Sequence, residues 1–164
     1  MSYQNTKIYG AHGGGEMTVA SGGIVNFESG SIPVGVALNL RVRATTAQVN
    51  AGLEILPELT GYKYRFTDLT MIAIGGAAQT ATSVDIVATS GGNAVRPFVA
   101  AVAALTQSAV VKPNSANVTV LADGASFVAM DEGTAVYVSK QAAGSNLATA
   151  THIDVILTYI IEAA

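Results

Sequence analysis

Cysteine and tryptophan are absent from the 164 residues, and histidine occurs only twice. The missing cysteine removes disulfides, thiol nucleophiles and thiolate metal ligands together. Charge is also scarce. Asp, Glu, Lys and Arg make up 12 % of the chain and mean hydropathy is +0.44, against roughly 25 % charged residues in an ordinary soluble domain. Such an exterior is either covered by partners or coated with Thr, Ser, Asn and Gly. The net charge of −3 comes without a polybasic run, which argues against a groove that neutralises a phosphate backbone and so against direct nucleic-acid binding. Met1 to Lys7 lacks the basic region and apolar core of a secretory signal. The alanine-rich run from Phe98 to Leu105 is too short to cross a bilayer as a helix. A chain made in the cytoplasm, with no membrane partner, is the expectation.

What is abundant is glycine, alternation and short turns. Gly10 to Ser31 carries two similar phrases, Met17-Thr18-Val19-Ala20-Ser21-Gly22-Gly23 and Val25-Asn26-Phe27-Glu28-Ser29-Gly30-Ser31. Each reads as a short strand closed by a tight turn, like rungs of a small β-helix or a hairpin. Two rungs cannot bury a core alone, so residues 1–35 are expected to form an arm that orders against something else, and 36–164 the body.

Val36 to Arg43 alternates, with Val36, Leu38, Leu40 and Val42 inward and Asn39, Arg41 and Arg43 outward. Tyr62 to Ile74 is a second strand, whose apolar side switches near Asp68 and so predicts a bend or bulge. Thr46 to Gly52 predicts a single capped turn before Leu53 to Pro57, and Ser83 to Ala88 another strand. Pro97 to Ala109 is ambiguous: Pro97 suits the first position of a short helix over the alanine run, and Leu105 to Val111 reads as strand or irregular. Strands at Val118, Ser126 and Thr134 follow, separated by Asp123-Gly124 and Asp131-Glu132-Gly133. About eight short strands with little helix predict an all-β protein, a jelly-roll-like β-sandwich with a short glycine-rich N-terminal arm.

Candidate chemistry is thin. His152 and Asp154 share one face of a strand, a pair able to orient an imidazole or contribute to a metal site, but no third ligand or nucleophile is marked. An interface pair or cross-strand hydrogen bond accounts for them better. Asp123-Gly124 and Asp131-Glu132-Gly133 lack the run of oxygen donors of a calcium loop and read as turns. Tyr62, Tyr64 and Phe66 alternate with Lys63 and Arg65, which separates aromatics from cations rather than building a stacking groove. No cofactor and no catalytic role is expected.

The final run from His152 to Ile161 is the most informative. Ile153, Val155, Leu157, Tyr159 and Ile161 fall on one face, and His152, Asp154, Ile156, Thr158 and Ile160 on the other. With both faces partly apolar, one belongs to the core and the other to a second sheet or a neighbouring subunit. Ile156, Ile160, His152 and Asp154 are therefore the expected subunit interface, within a homo-oligomer for which a three-fold axis fits.

Several phrases carry a family resemblance. Gly15-Glu16-Met17-Thr18-Val19-Ala20-Ser21-Gly22-Gly23 and Phe27-Glu28-Ser29-Gly30 resemble the N-terminal phrase of tailed-bacteriophage virion proteins. Ile55-Leu56-Pro57, Tyr62 to Asp68, Val120 to Phe127 and His152 to Tyr159 resemble small phage head proteins of the decoration or cement type. The resemblance implies a β-rich trimer on the outer surface of a capsid, bridging subunits of the major capsid protein. It also implies that the arm makes the capsid contact; Met17, Val19, Ile24 and Phe27 are the residues of the arm expected to make it. The acidic net charge suits the exterior better than a DNA-lined interior. A head-fibre or tail-fibre base protein, a tail-tube protein and a carbohydrate-binding jelly-roll module are the alternatives.

Overall fold

Alternation in the sequence becomes alternation in burial. In β1 (Ala37–Thr45) Leu38, Leu40, Val42 and Ala44 turn inward while Asn39, Arg41 and Arg43 stay exposed. Val36, expected inward at the start of this strand, lies just outside it and is 44 % exposed. The computed structural model describes residues 32–113, 118–120, 130–141 and 144–164. The glycine-rich phrases, Asp123-Gly124 and most of the Ser126 strand lie outside these.

A single turn of helix, α1 (Thr46–Ala51), follows β1 as predicted. Thr45 and Gln48 form a reciprocal capping box that satisfies orphan amides at its start, and Gly52 closes it with φ 84°. Ten further strands follow among the described residues: β2 (Leu53–Leu56), β3 (Tyr62–Ile74), β4 (Ala78–Gln79), β5 (Ser83–Ser90), β6 (Asn93–Ala101), β7 (Val110–Val111), β8 (Val118–Val120), β9 (Val136–Lys140), β10 (Ala148–Thr149) and β11 (His152–Ala163).

They form three antiparallel sheets, ordered β1-β11-β3-β7, β2-β9-β5-β6-β8 and β10-β4. The two larger ones give a sandwich-like arrangement, with Met71, Val155 and Leu157 contributed to the core by one and Val84, Ile86, Val136 and Val138 by the other. With β4, β8 and β10 set aside and the equally short β7 kept, the pairing is nested. The first strand pairs with the last (β1 with β11), the second with the second-last (β2 with β9), the third with the third-last (β3 with β7), and the middle two with each other (β5 with β6).

The terminal strand β11 is not an edge. It pairs with β1 on one side and along its whole length with β3 on the other. The predicted irregularity in β3 falls where expected: Asp68 opposes Thr158 but Phe66 opposes Tyr159, leaving Thr67 as the extra residue. The shift keeps both Tyr64 and Phe66 before it and Leu69 and Met71 after it in the core.

The helix considered at Pro97 is replaced by strand. β6 runs straight through it, and the chain turns only afterwards, where Ala104 N donates to Ala101 O at 2.9 Å and Leu105 N to Val102 O at 3.1 Å. The register between β5 and β6 shifts between Ile86 opposite Phe98 and Ala88 opposite Val95, so Arg96 and Pro97 together face Val87. A proline without an N–H is accommodated at such a bulge, where the ladder is already interrupted.

Candidate functional site

Cross-strand register fixes which side chains share the outer face of the β1-β11-β3-β7 sheet. Arg43, Asp154, Ile72 and Val110 stand in one row; Arg41, Ile156 and Thr70 in the next; Ala37, Ile160 and Arg65 in another; Thr45, His152 and Ile74 at the end. The four interface residues predicted from sequence, His152, Asp154, Ile156 and Ile160, thus lie together on this face. Ile72, Ile74, Ile156 and Ile160 are half-buried, and Val110 is 57 % exposed. Met17, Val19, Ile24 and Phe27 lie outside the described residues.

Asp154 is held mainly by arginines rather than by His152. Arg43 grips it in a fork, Nε to Oδ1 at 2.8 Å and Nη2 to Oδ2 at 3.0 Å, and Arg41 Nη2 reaches diagonally to Oδ2 at 3.2 Å. The Arg43 hydrogen bonds, followed by those of Arg41, outweigh burial and hold the Asp154 carboxyl down to about 2. A carboxylate so placed is no general base near neutral pH. His152 Nε2 is 3.8 Å from Asp154 Oδ1 and has no hydrogen-bond partner among the described residues. The cluster carries two full cations for one anion, with Arg41 and Arg43 side chains 67 % and 60 % exposed over an Asp154 side chain 4 % exposed. At the far end of the face Arg65 forks onto Glu162, with Nε to Oε1 at 2.6 Å and Nη2 to Oε2 at 3.0 Å. Ile156 lies between these two charged groups, Ile72 shares the row of Arg43 and Asp154, and Ile160 shares that of Arg65 beyond the polar row of Asn39, Thr158 and Asp68.

The remaining sequence candidates resolve into structural roles. Asp131 accepts from Gly91 N and Gly92 N at 2.9 and 2.7 Å, bracing the β5–β6 turn, and Glu132 Oε1 accepts from Gly61 N at 2.8 Å. Both acidic residues act as loop ties, and no cluster of three metal-ligating side chains occurs among the described residues. Tyr64 and Phe66 are core residues: Tyr64 stacks edge-on to Tyr159 at 5.6 Å, donates to Pro57 O at 2.7 Å, and is pushed up to about 12 by burial.

One group escaped the sequence reading. Asp85, on the outward side of β5, is fully buried, and Arg96 Nε lies 3.2 Å from its Oδ2. Neither carboxylate oxygen accepts a hydrogen bond of good geometry among the described residues. Burial raises the Asp85 carboxyl, with the neighbouring Ser83 hydroxyl and Arg96 pulling the other way. The signal was a lone acid inside Ser83-Val84-Asp85-Ile86-Val87, where alternation puts Val84 and Ile86 in the core and the acid outside. No family model, curated protein or solved structure matches the chain.

Proposed function

We propose that the chain is a non-enzymatic structural protein of a phage virion, a homo-oligomer, trimeric by preference, that binds the capsid exterior and bridges major capsid subunits. The observation that carries the reading is the outer face of the β1-β11-β3-β7 sheet, where Ile74, Ile72, Val110 and Ile156 form an apolar patch, with Ile160 beyond the polar row of Asn39, Thr158 and Asp68. A monomer has no need of such a patch, whereas a neighbouring subunit gains by covering it, with the exposed Arg41 and Arg43 at its rim.

The nested pairing of the strands supports a jelly-roll winding, since one long ribbon folded at β5–β6 and rolled up gives alternate pairs to the two sheets. In this reading residues 1–35 make the capsid contact through Met17, Val19, Ile24 and Phe27, as in the phage decoration proteins that the sequence resembles.

The test has two arms. Sedimentation of the wild type and of the Ile156→Lys/Ile160→Lys variant reads assembly: an oligomer that dissociates to a folded monomer supports the interface, and an unchanged oligomer overturns it. Co-sedimentation with capsids of the parent phage reads binding. A chain lacking residues 2–31 should stay folded and lose the capsid, and full occupancy by that truncated chain overturns the arm's role.

A further inference from the structure

The Asp85 carboxylate opens a second line, independent of assembly. It sits on the outer face of the β2-β9-β5-β6-β8 sheet, flanked by Ser139 of β9 on one side and Val99 of β6 on the other. There it lines a cavity of about 360 Å³, a size that falls within the range of small-molecule sites. Thr82, Ser83 and Gln141 join Asp85 and Arg96 around its polar side, and Val99 and Ala101 supply an apolar wall.

A buried carboxylate normally accepts several hydrogen bonds, because leaving a charged oxygen without a donor costs more than any neutral group would. Among the described residues neither oxygen accepts one of good geometry, although the Ser83 hydroxyl and Arg96 both act on the carboxylate. Arg96 compensates the charge but not the hydrogen bonds, and it is itself 39 % exposed on the bulge shared with Pro97. Its long side chain can swing without unfolding the strand, uncovering Asp85 from the cavity side. The chemistry then on offer is a double acceptor beside a multiple donor, with hydroxyl and amide groups around them and an aliphatic wall. A simple cation is disfavoured by Arg96, and an anion by Asp85. A neutral ligand bearing adjacent hydroxyls matches both: two O–H groups donate to the Asp85 oxygens, a third oxygen accepts from Arg96, and the C–H face of the ring rests on Val99 and Ala101.

We propose that this cavity is a binding site for a neutral hexose, read through a vicinal pair of hydroxyls by Asp85.

The experiment titrates ¹⁵N-labelled full-length protein with D-glucose, D-galactose and D-mannose, with sodium acetate and ethylamine as charged controls, and follows backbone amide shifts. The expected result is a saturable, millimolar-range response to at least one hexose, centred on Thr82, Ser83, Asp85, Arg96 and Gln141, with neither charged control competing. Asp85→Asn keeps the shape but loses an acceptor, and should weaken the response about tenfold or more. Ala101→Leu fills the apolar side without touching the carboxylate and should abolish it, which keeps the test decisive if the Asp85 variant folds poorly. No saturable response to any of the three hexoses, or an equal response in wild type and Ala101→Leu, overturns the site. Tighter binding of ethylamine than of any hexose replaces the ligand class and overturns the proposal as stated. Oligomeric state is read separately by sedimentation, so failure here leaves the assembly reading untouched, and the reverse.

Discussion

Arg43 and Asp154 face one another at directly paired positions of β1 and β11, and the guanidinium fork closes on both carboxylate oxygens. The carboxyl falls to about 2 from an ordinary 3.8. A folded-state value below the unfolded one means that the stabilisation is complete above about pH 4 and is lost as the pH falls toward 2. Replacing Asp154 by Asn is expected to cost about 1–3 kcal/mol at pH 7, the usual range for a charged hydrogen-bonded partner. Thermal unfolding of the two proteins across pH should show the gap between them closing in acid; a gap that stays constant down to about pH 2 would contradict the assignment.

Asp85 predicts the opposite slope. Its folded value is raised by burial, so the native state binds the proton more tightly than the unfolded chain. The stability it contributes is present below the unfolded value and drains away as pH rises through the folded one. Asp85→Asn escapes that loss. Its melting temperature relative to wild type should therefore climb from acid to neutral pH, and a difference flat with pH would show that the carboxylate is better solvated than its burial implies.

Gly75 tests how closely the chain passes itself. With φ 75°, a Cβ there would stand 2.0 Å from Thr151 Oγ1 and 2.7 Å from Thr151 Cβ, whereas Gly91, with φ 60°, has nothing within 4 Å of its own Cβ position. Gly91→Ala should cost about 1 kcal/mol, the strain of a left-handed backbone alone. Gly75→Ala adds an overlap with Thr151, in the bend between β10 and β11, and should cost roughly 1–3 kcal/mol more. Equal losses in denaturant titrations would mean that Thr151 moves aside freely.

Lysine at Ile156 and Ile160 is expected to separate folding from assembly. Both side chains are half-buried, so the monomer should lose only about 1–2 kcal/mol in total, while burying two ammonium groups against a neighbouring subunit is prohibitive. Circular dichroism and sedimentation on the same samples decide; collapse of the fold together with the oligomer would place these isoleucines in the core.

The strands with strict alternation were legible because burial on one face leaves a period of two. β1, β3 and β11 follow from Leu38-Asn39-Leu40-Arg41, from the switch at Asp68, and from the Ile153 to Ile161 run. Pro97 misled because the same residue suits a helix start and a strand bulge, and only the pairing partner, Val87, distinguishes them. The Arg43–Asp154 fork needed the register of two strands far apart in sequence. His152 and Asp154 were correctly placed on one face, yet the partner that governs Asp154 came from β1. Asp85 was passed over because a single acid on a strand's outward side is ordinarily solvated; what buries it is three-dimensional.

The central place of β11 has a temporal side. Arg41 and Asp154, which meet across the first sheet, are 113 residues apart in the chain. During synthesis β1 and β3 leave the ribosome with the slot between them vacant, and although β3 can pair with β7, the neighbour that β1 and β3 share arrives only with β11. Contacts this remote make folding slow and leave apolar edges waiting, so a nascent chain arrested before His152 should be a client for chaperones.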